Sequence, residues 1–297
     1  MRVFVTGATG FVGGAVVREL LDSGHRVLGL ARSDASADRL AATGAEVHRG
    51  SLDDLDALRA GASACDGVIH TGFIHDFSNY AACVATDLRA VETLTDTLAG
   101  SDRPFVLTSV MSHGPTEDEV PDLATHPQLP RLAAEVTTLA AAERGVRASS
   151  VRLPQVHGEG DYAFVPALIG IARAKGASAY VGEGANRWAA VHRDDAALLY
   201  RLALENAPAG SVLHAVADEG VPVREIAELI GKRLALPVTS VPPEEAEAHF
   251  GWLGHFAATD LVGTSTLTRK RFGWTPTRIG LLADLDHDYY FEVNQPS

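Results

Sequence analysis

Thr6-Gly7-Ala8-Thr9-Gly10-Phe11-Val12-Gly13 closes a short apolar run at 2–6 and opens a stretch with helical spacing at 11–22. Gly7 suits a tight turn, Gly10 lets the backbone approach a pyrophosphate, and Gly13 lets helix and strand pack closely. The helix N-terminus adds N–H groups and the positive end of a dipole. A β-rich run returns at 26–31, so the loop lies in the strand-turn-helix-strand setting that the motif requires. Read in this way, Gly7, Thr9, Gly10, Phe11 and Val12 hold a dinucleotide.

Outward from that loop, short β-rich runs at 2–6, 26–31, 46–49, 67–70, 104–108 and 147–153 alternate with helical stretches near 11–22, 36–42, 53–60, 79–99 and 129–144. Six strands in β-α-β succession predict an α/β fold, a doubly wound parallel sheet of Rossmann type. Its ligand crevice lies at the carboxyl ends of the strands, where strand order reverses. Past Pro154 the chain becomes Gly- and Pro-punctuated, with helices near 164–174, 194–205, 223–234, 243–249 and 264–272. We therefore expect a dinucleotide-binding domain over 1–157 and a smaller C-terminal α/β substrate lobe over 158–297, with 186–212 returning to the first domain.

Composition narrows the function. The chain has 297 residues, 46% hydrophobic and 21% charged, enough to form a sizeable core without disulfide or metal staples. Cys65 and Cys83 form neither C-x-x-C nor zinc spacing, and the 12 histidines contain no H-x-x-x-H or H-E-x-x-H, so no metal is expected. A formal charge of -13 repels phosphate backbones and anionic lipid, which argues against nucleic acid and membrane partners. No apolar run approaches the roughly 20 residues of a membrane helix, and the chain enters its first strand without a signal peptide, so a cytoplasmic protein is expected.

About 20 residues past the glycine loop, an NAD-selective site carries Asp or Glu for the ribose hydroxyls, whereas this chain reads Ala31-Arg32-Ser33-Asp34. A guanidinium at Arg32 suits a 2'-phosphate, favouring NADP with NAD as the alternative; a solvated surface charge is the other role open to Arg32. Asp34 is expected to cap the next helix beside Ser33.

These residues resemble the short-chain dehydrogenase/reductase superfamily, in the extended or atypical branch of NAD-dependent epimerase/dehydratase-like proteins. Gly50-Ser51-Leu52-Asp53-Asp54 looks like that family's adenine-binding segment, with Ser51 in place of the usual Asp. Val68-Ile69-His70-Thr71-Gly72-Phe73 resembles the segment along the cofactor phosphates and ribose, and Asp87 falls where the family often has Asn. Arg152-Leu153-Pro154-Gln155-Val156-His157-Gly158 resembles the nicotinamide-lining segment, and Val191-His192-Arg193-Asp194-Asp195-Ala196 a structural one. The resemblance thus implies cofactor contacts at Ser51, Leu52, Thr71, Gly72, Phe73, Thr108, Leu153 and Val156.

Where the family's Tyr-x-x-x-Lys should fall, this chain has Arg131 and Glu135. In the usual mechanism the Lys lowers the Tyr pKa so that it exchanges a proton near neutral pH. Arg131 stays protonated and cannot shuttle a proton. It is left as a substrate contact, or as half of an i, i+4 salt bridge with Glu135. Ser109, at the family's catalytic Ser place, can donate to a substrate oxygen or be an ordinary strand-end hydroxyl. His75, beside Asp76, and Tyr162 are further catalytic candidates, His75 with the alternative of a polar loop. Trp188 is a candidate substrate wall or core residue, and His113 and His157 receive no catalytic role.

The leading expectation is an NAD(P)-dependent oxidoreductase moving a hydride to or from a small carbonyl or alcohol substrate. The alternatives are a non-catalytic NADP(H) sensor and an NAD-dependent sugar-nucleotide epimerase or dehydratase. Amphipathic helices at 79–99 and 194–205 leave a homodimer open.

Overall fold

The computed structural model describes residues 1–76, 79–111, 114–119, 121–126 and 128–292. In chain order its elements are β1 (Arg2–Thr6), α1 (Phe11–Asp22), β2 (Arg26–Ala31), α2 (Asp34–Ala41), β3 (Glu46–Arg49), α3 (Leu55–Ser63), β4 (Gly67–His70), α4 (Tyr80–Leu98), β5 (Pro104–Val110), α5 (Leu132–Ala140) and β6 (Arg147–Leu153). There follow β7 (Gln155–His157), α6 (Phe164–Lys175), β8 (Ser178–Val181), β9 (Arg187–His192), α7 (Arg193–Asn206), β10 (Ser211–His214), β11 (Asp218–Pro222), α8 (Val223–Leu234) and β12 (Val238–Val241). Four short helices end the series: α9 (Ala246–Phe250), α10 (Gly254–Ala258), α11 (Thr266–Phe272) and α12 (Leu281–Leu285).

The chain divides into two units. The first takes residues 1–153, 194–215 and 265–275, the second 154–193, 216–264 and 276–297. In the first, a seven-stranded sheet runs β10-β6-β5-β4-β1-β2-β3, with every pairing parallel. Chain order reverses between β1 and β4, which puts the switch point of a doubly wound sheet at the end of the glycine-loop strand. Strands covered on both faces read as continuous apolar runs, and the Val3, Phe4 and Val5 side chains of β1 are fully buried. α4 sets Val91, Leu94 and Leu98 on one face, packed with Phe4, Val68, Phe105 and Leu107. Each such side chain contributes about 1.5–3 kcal/mol on burial.

Two expectations need correction. The sheet has a seventh strand, β10, which pairs with β6 in the register His214 to Arg152. Its four residues hold only two apolar ones, Val212 and Leu213, too few to show a period. The returning segment is 194–215, not 186–212, because β9 pairs with β7 and β11 in the second unit. β7 likewise moves residues 155–157 out of the first unit. A third segment, 265–275, joins the first unit; its Trp274 is 1% exposed and donates from Nε1 to the Asp195 carbonyl at 2.9 Å.

The second unit holds the three-stranded sheet β11-β9-β7 and the pair β12-β8. Its core joins Val165 and Ile169 of α6, Ile226 and Ile230 of α8, and Leu281 and Leu285 of α12. Among the described residues, no helix is long and apolar enough to cross a membrane.

Candidate active site

The first unit builds its crevice from loops at the carboxyl ends of β1, β4 and β5. Gly7 turns the chain with φ of +66°, and a Cβ there would lie 2.7 Å from the Gly72 backbone nitrogen. A Cβ on Gly13 would lie 2.1 Å from the Gly7 carbonyl oxygen, so α1 rests directly on its own loop. Thr6 fastens the two loops: the Thr71 hydroxyl donates to its carbonyl at 2.7 Å, and the Gly72 N–H donates to its Oγ1 at 3.2 Å. α1 opens at Gly10 with no side-chain cap and no acidic residue in its first turn. Gly10 is exposed and Thr9, Phe11 and Val12 are half-buried. An accessible helix N-terminus that no side chain caps fits a pyrophosphate.

At the end of β2, Arg32 is exposed and makes no hydrogen bond or ion pair with any described residue. Its neighbours are committed elsewhere. Ser33, not Asp34, caps α2, in a reciprocal box with Ser36. Asp34 stands in the first turn and is held by Arg49, whose guanidinium also donates to the Ser33 carbonyl. Across the crevice edge, Ser51 donates to Asp53 and holds that carboxyl below its usual range, with a smaller contribution from the Arg32 charge. Leu52 abuts Gly72, where an added Cβ would come within 3.1 Å of it. One uncommitted cation thus stands at the end of β2, and the neighbouring carboxylate is tied back by a second arginine.

A buried chain of polar groups runs beneath the loop. Thr6 Oγ1 lies 2.8 Å from His70 Nδ1, and His70 Nε2 lies 3.1 Å from Asp87 Oδ1. Thr6, His70 and Asp87 are each no more than 2% exposed. With the Asp87 carboxylate as acceptor, Nε2 carries the imidazole proton; Nδ1 then accepts from the Thr6 hydroxyl, which in turn accepts from Gly72. Arg131 continues the chain, its Nε 3.8 Å from Asp87 Oδ2 and its guanidinium 4.0 Å above the Phe73 ring.

The expected Arg131–Glu135 salt bridge is replaced by two separate pairings. Arg131 immediately precedes α5 and turns to Asp87, whereas Glu135 is fully buried against β5 and β6. Glu135 Oε1 accepts from Arg152 Nε at 2.8 Å and Oε2 accepts from the Ser109 hydroxyl at 2.8 Å. Arg152 also donates to His214 Nε2 at 3.2 Å and to the Glu119 carbonyl at 2.9 Å. The proton that Ser109 was expected to offer a substrate is therefore committed to Glu135, and Ser109 is 5% exposed. One residue earlier on β5 the opposite holds: the fully buried Tyr200 of α7 donates to Thr108 Oγ1 at 2.7 Å, which leaves the Thr108 proton unspent in that bond. Burial pushes the Tyr200 hydroxyl up, so it stays protonated.

His75 packs edge-on against Phe73, with ring centroids 5.2 Å apart. Partial burial, and then the Arg131 charge, lower its pKa, which leaves it neutral at pH 7. Leu153 ends β6 in the first unit. Val156 lies on β7 of the second unit, and Tyr162 in the same unit is 68% exposed. Trp188 does not form a surface wall: it is 2% exposed in the core of the second unit, with Nε1 donating to the Phe256 carbonyl at 3.1 Å and Phe164 set edge-on to its ring. His113 lies outside the described residues.

The second unit has its own buried acidic group. Burial alone would raise Asp284, but hydrogen bonds from His157, Tyr289 and Tyr290 hold it below the usual carboxylate range. Asp161 Oδ1 accepts the Ala163 backbone N–H at 2.8 Å, and its buried Oδ2 has no hydrogen-bond partner among the described residues. Burial pushes it up to about 6.

The roles of His70, Arg152 and Tyr200 within these networks escaped the sequence reading. Their signal is present but faint: His70 and Arg152 are polar residues at the ends of otherwise buried strands, and Tyr200 carries a hydroxyl on the buried face of α7.

The profile of the NAD dependent epimerase/dehydratase family matches residues 3–215. An uncharacterized protein of Schizosaccharomyces pombe is 52% identical over 98% of this chain and 100% of its own. A 2-alkyl-3-oxoalkanoate reductase of Stenotrophomonas maltophilia is 30% identical over 76% of this chain and 73% of its own. Among solved structures, a dTDP-glucose 4,6-dehydratase of Streptomyces venezuelae with NAD bound superposes at a TM-score of 0.75, with 19% identity, covering 99% of this chain and 98% of that one.

Proposed function

Because the chain belongs to the NAD dependent epimerase/dehydratase family, we propose that it is an NADP(H)-dependent oxidoreductase interconverting a small carbonyl compound and its alcohol. In the broad sense, membership and the reductase relative make it an NAD(P)-dependent oxidoreductase or epimerase. The narrower reading is carried by one observation: an uncapped helix behind the glycine loop, with the uncommitted Arg32 at the end of the next strand. The relative's action on a 3-oxoalkanoate favours reduction over epimerisation.

Thr9, Gly10, Phe11 and Val12 would hold the pyrophosphate at the α1 N-terminus, Arg32 the 2'-phosphate, Ser51 and Leu52 the adenine side, and Thr71, Gly72 and Phe73 the flank. When bound, the dinucleotide supplies a hydride to the carbonyl carbon or takes one from the alcohol carbon, the oxygen gaining or losing a proton to the medium. Thr108, already accepting from Tyr200, offers its own proton to a ribose or substrate oxygen. Ser109 accepts rather than donates, since Glu135 takes its proton. Arg131 faces the crevice as the charged substrate contact, while neutral His75 orders water at its side instead of delivering a proton outright. Leu153, at the end of β6, would line the nicotinamide side.

Equilibrium binding of NAD+, NADH, NADP+ and NADPH to the purified chain and to Arg32→Ala tests this. We expect the phosphorylated pair to bind about tenfold tighter or better, with the preference abolished in the variant, as for loss of a charge-assisted contact. Preference for the unphosphorylated pair would return the reading to NAD. Binding of none of the four would overturn it.

A further inference from the structure

Arg131 holds a position in the crevice that its contacts do not use up. Its Nε is buried, 3.8 Å from Asp87 and without a hydrogen-bond partner among the described residues. No described residue accepts from either terminal nitrogen, and the side chain keeps 17% of its surface exposed. The guanidinium carbon lies over the Phe73 ring, 4.0 Å from its centre, so an aromatic platform supports the fork whose two terminal nitrogens no described residue takes up. A planar fork held in that way is the geometry that binds a carboxylate through two parallel hydrogen bonds.

The counterion does not cancel this fork. Asp87 approaches the Nε side, and its other oxygen is occupied by His70. The Arg131 charge lowers the pKa of His75 and pulls down those of Tyr80 and Tyr200 against burial, so its positive field reaches side chains from three other segments of the first unit. In a chain of formal charge -13, long-range attraction for anions is absent, and an anionic substrate has to be gripped at short range. Ser109 cannot compete for it, its proton being held by Glu135.

Resting on the oxidoreductase reading above, we propose that Arg131 selects the substrate class: a carbonyl compound that carries a carboxylate, an oxo acid, gripped by the Arg131 fork on its Phe73 platform. The Thr6-His70-Asp87 chain is the positioning element that holds the fork to the glycine loop.

The test is calorimetric titration of pyruvate, acetoacetate and levulinate, each against its methyl ester, with and without NADP+, on the native chain and on Arg131→Gln and Arg131→Lys. At least one acid should bind the native chain about 10- to 100-fold tighter than its ester. Arg131→Gln should bring that acid to the level of its ester, and Arg131→Lys should keep only part of the preference. Equal binding of every acid and ester, no binding of any of them, or a preference that survives Arg131→Gln overturns the proposal. Failure to bind NADP+ overturns the cofactor reading instead, and the acid preference is still read on the free chain.

Discussion

The first unit matches its buried Glu135 and Asp87 with partners, whereas the second matches Asp284 and leaves Asp161 short of them. In the first, Glu135 is matched by Arg152 and Ser109, and Asp87 by His70 with Arg131 beside it, each partner arriving from a different element. In the second, Asp284 gathers three side-chain donors, but Asp161 meets only backbone N–H groups and keeps one oxygen without a partner among the described residues. Where partners arrive, burial is offset by charge and hydrogen bonds; where they do not, the carboxyl keeps its proton to higher pH.

The comparison breaks most visibly at Glu135. Glu135→Gln leaves Arg152 buried without a counterion and should cost about 3–5 kcal/mol in urea unfolding. A loss below about 1 kcal/mol would mean that His214 and the Glu119 carbonyl satisfy Arg152 alone. Asp161 predicts the reverse sign. Its carboxyl ionises near 3.8 when unfolded and near 6 when folded, so the folded state holds the proton between those values. Stability contributed by that proton is present below the lower value, falls as pH rises toward 6, and is gone above it. Asp161→Asn should therefore gain up to about 3 kcal/mol at pH 7.5 and flatten the melting profile between pH 4 and 6. A variant that keeps the wild-type slope would exclude Asp161 as its source.

Smaller effects sharpen the contrast. Tyr200→Phe removes one buried neutral hydrogen bond and should cost about 1 kcal/mol, read by the same unfolding assay. Asp34→Ala breaks an ion pair to Arg49 in which Asp34 is 95% exposed, and should change stability by less than about 0.5 kcal/mol. A larger loss there would mean that the pair also braces the Ser33 cap.

The same contrast decides what could be read in advance. The glycine loop, β1, β2, β3, β4 and β6 are local: a few adjacent residues set turn, period and cap, and their limits follow from the chain itself. The Arg131 and Glu135 partners are not local. Position alone suggested that the two residues, four apart, would pair with each other; the fold instead offers Asp87 from α4 and Arg152 from β6. Helical spacing states which residues are neighbours on one element, but not whether a better-buried partner comes from another. Trp188 illustrates the same limit, since an aromatic in a loop-rich region reads equally as wall or core until its strand is paired.

The chain crosses between the two units at 153/154, 193/194, 215/216, 264/265 and 275/276. During synthesis the sheet unit therefore cannot finish when its sixth strand emerges. β10 must still arrive to take the edge beside β6, and Trp274, almost at the end of the last crossing, must still seat against Asp195. A fragment ending at residue 215 carries every strand of the sheet yet lacks that closing piece. The glycine-loop sheet and the segment 265–275 are thus bound into one folding event, with contacts far apart in sequence and correspondingly slow to form.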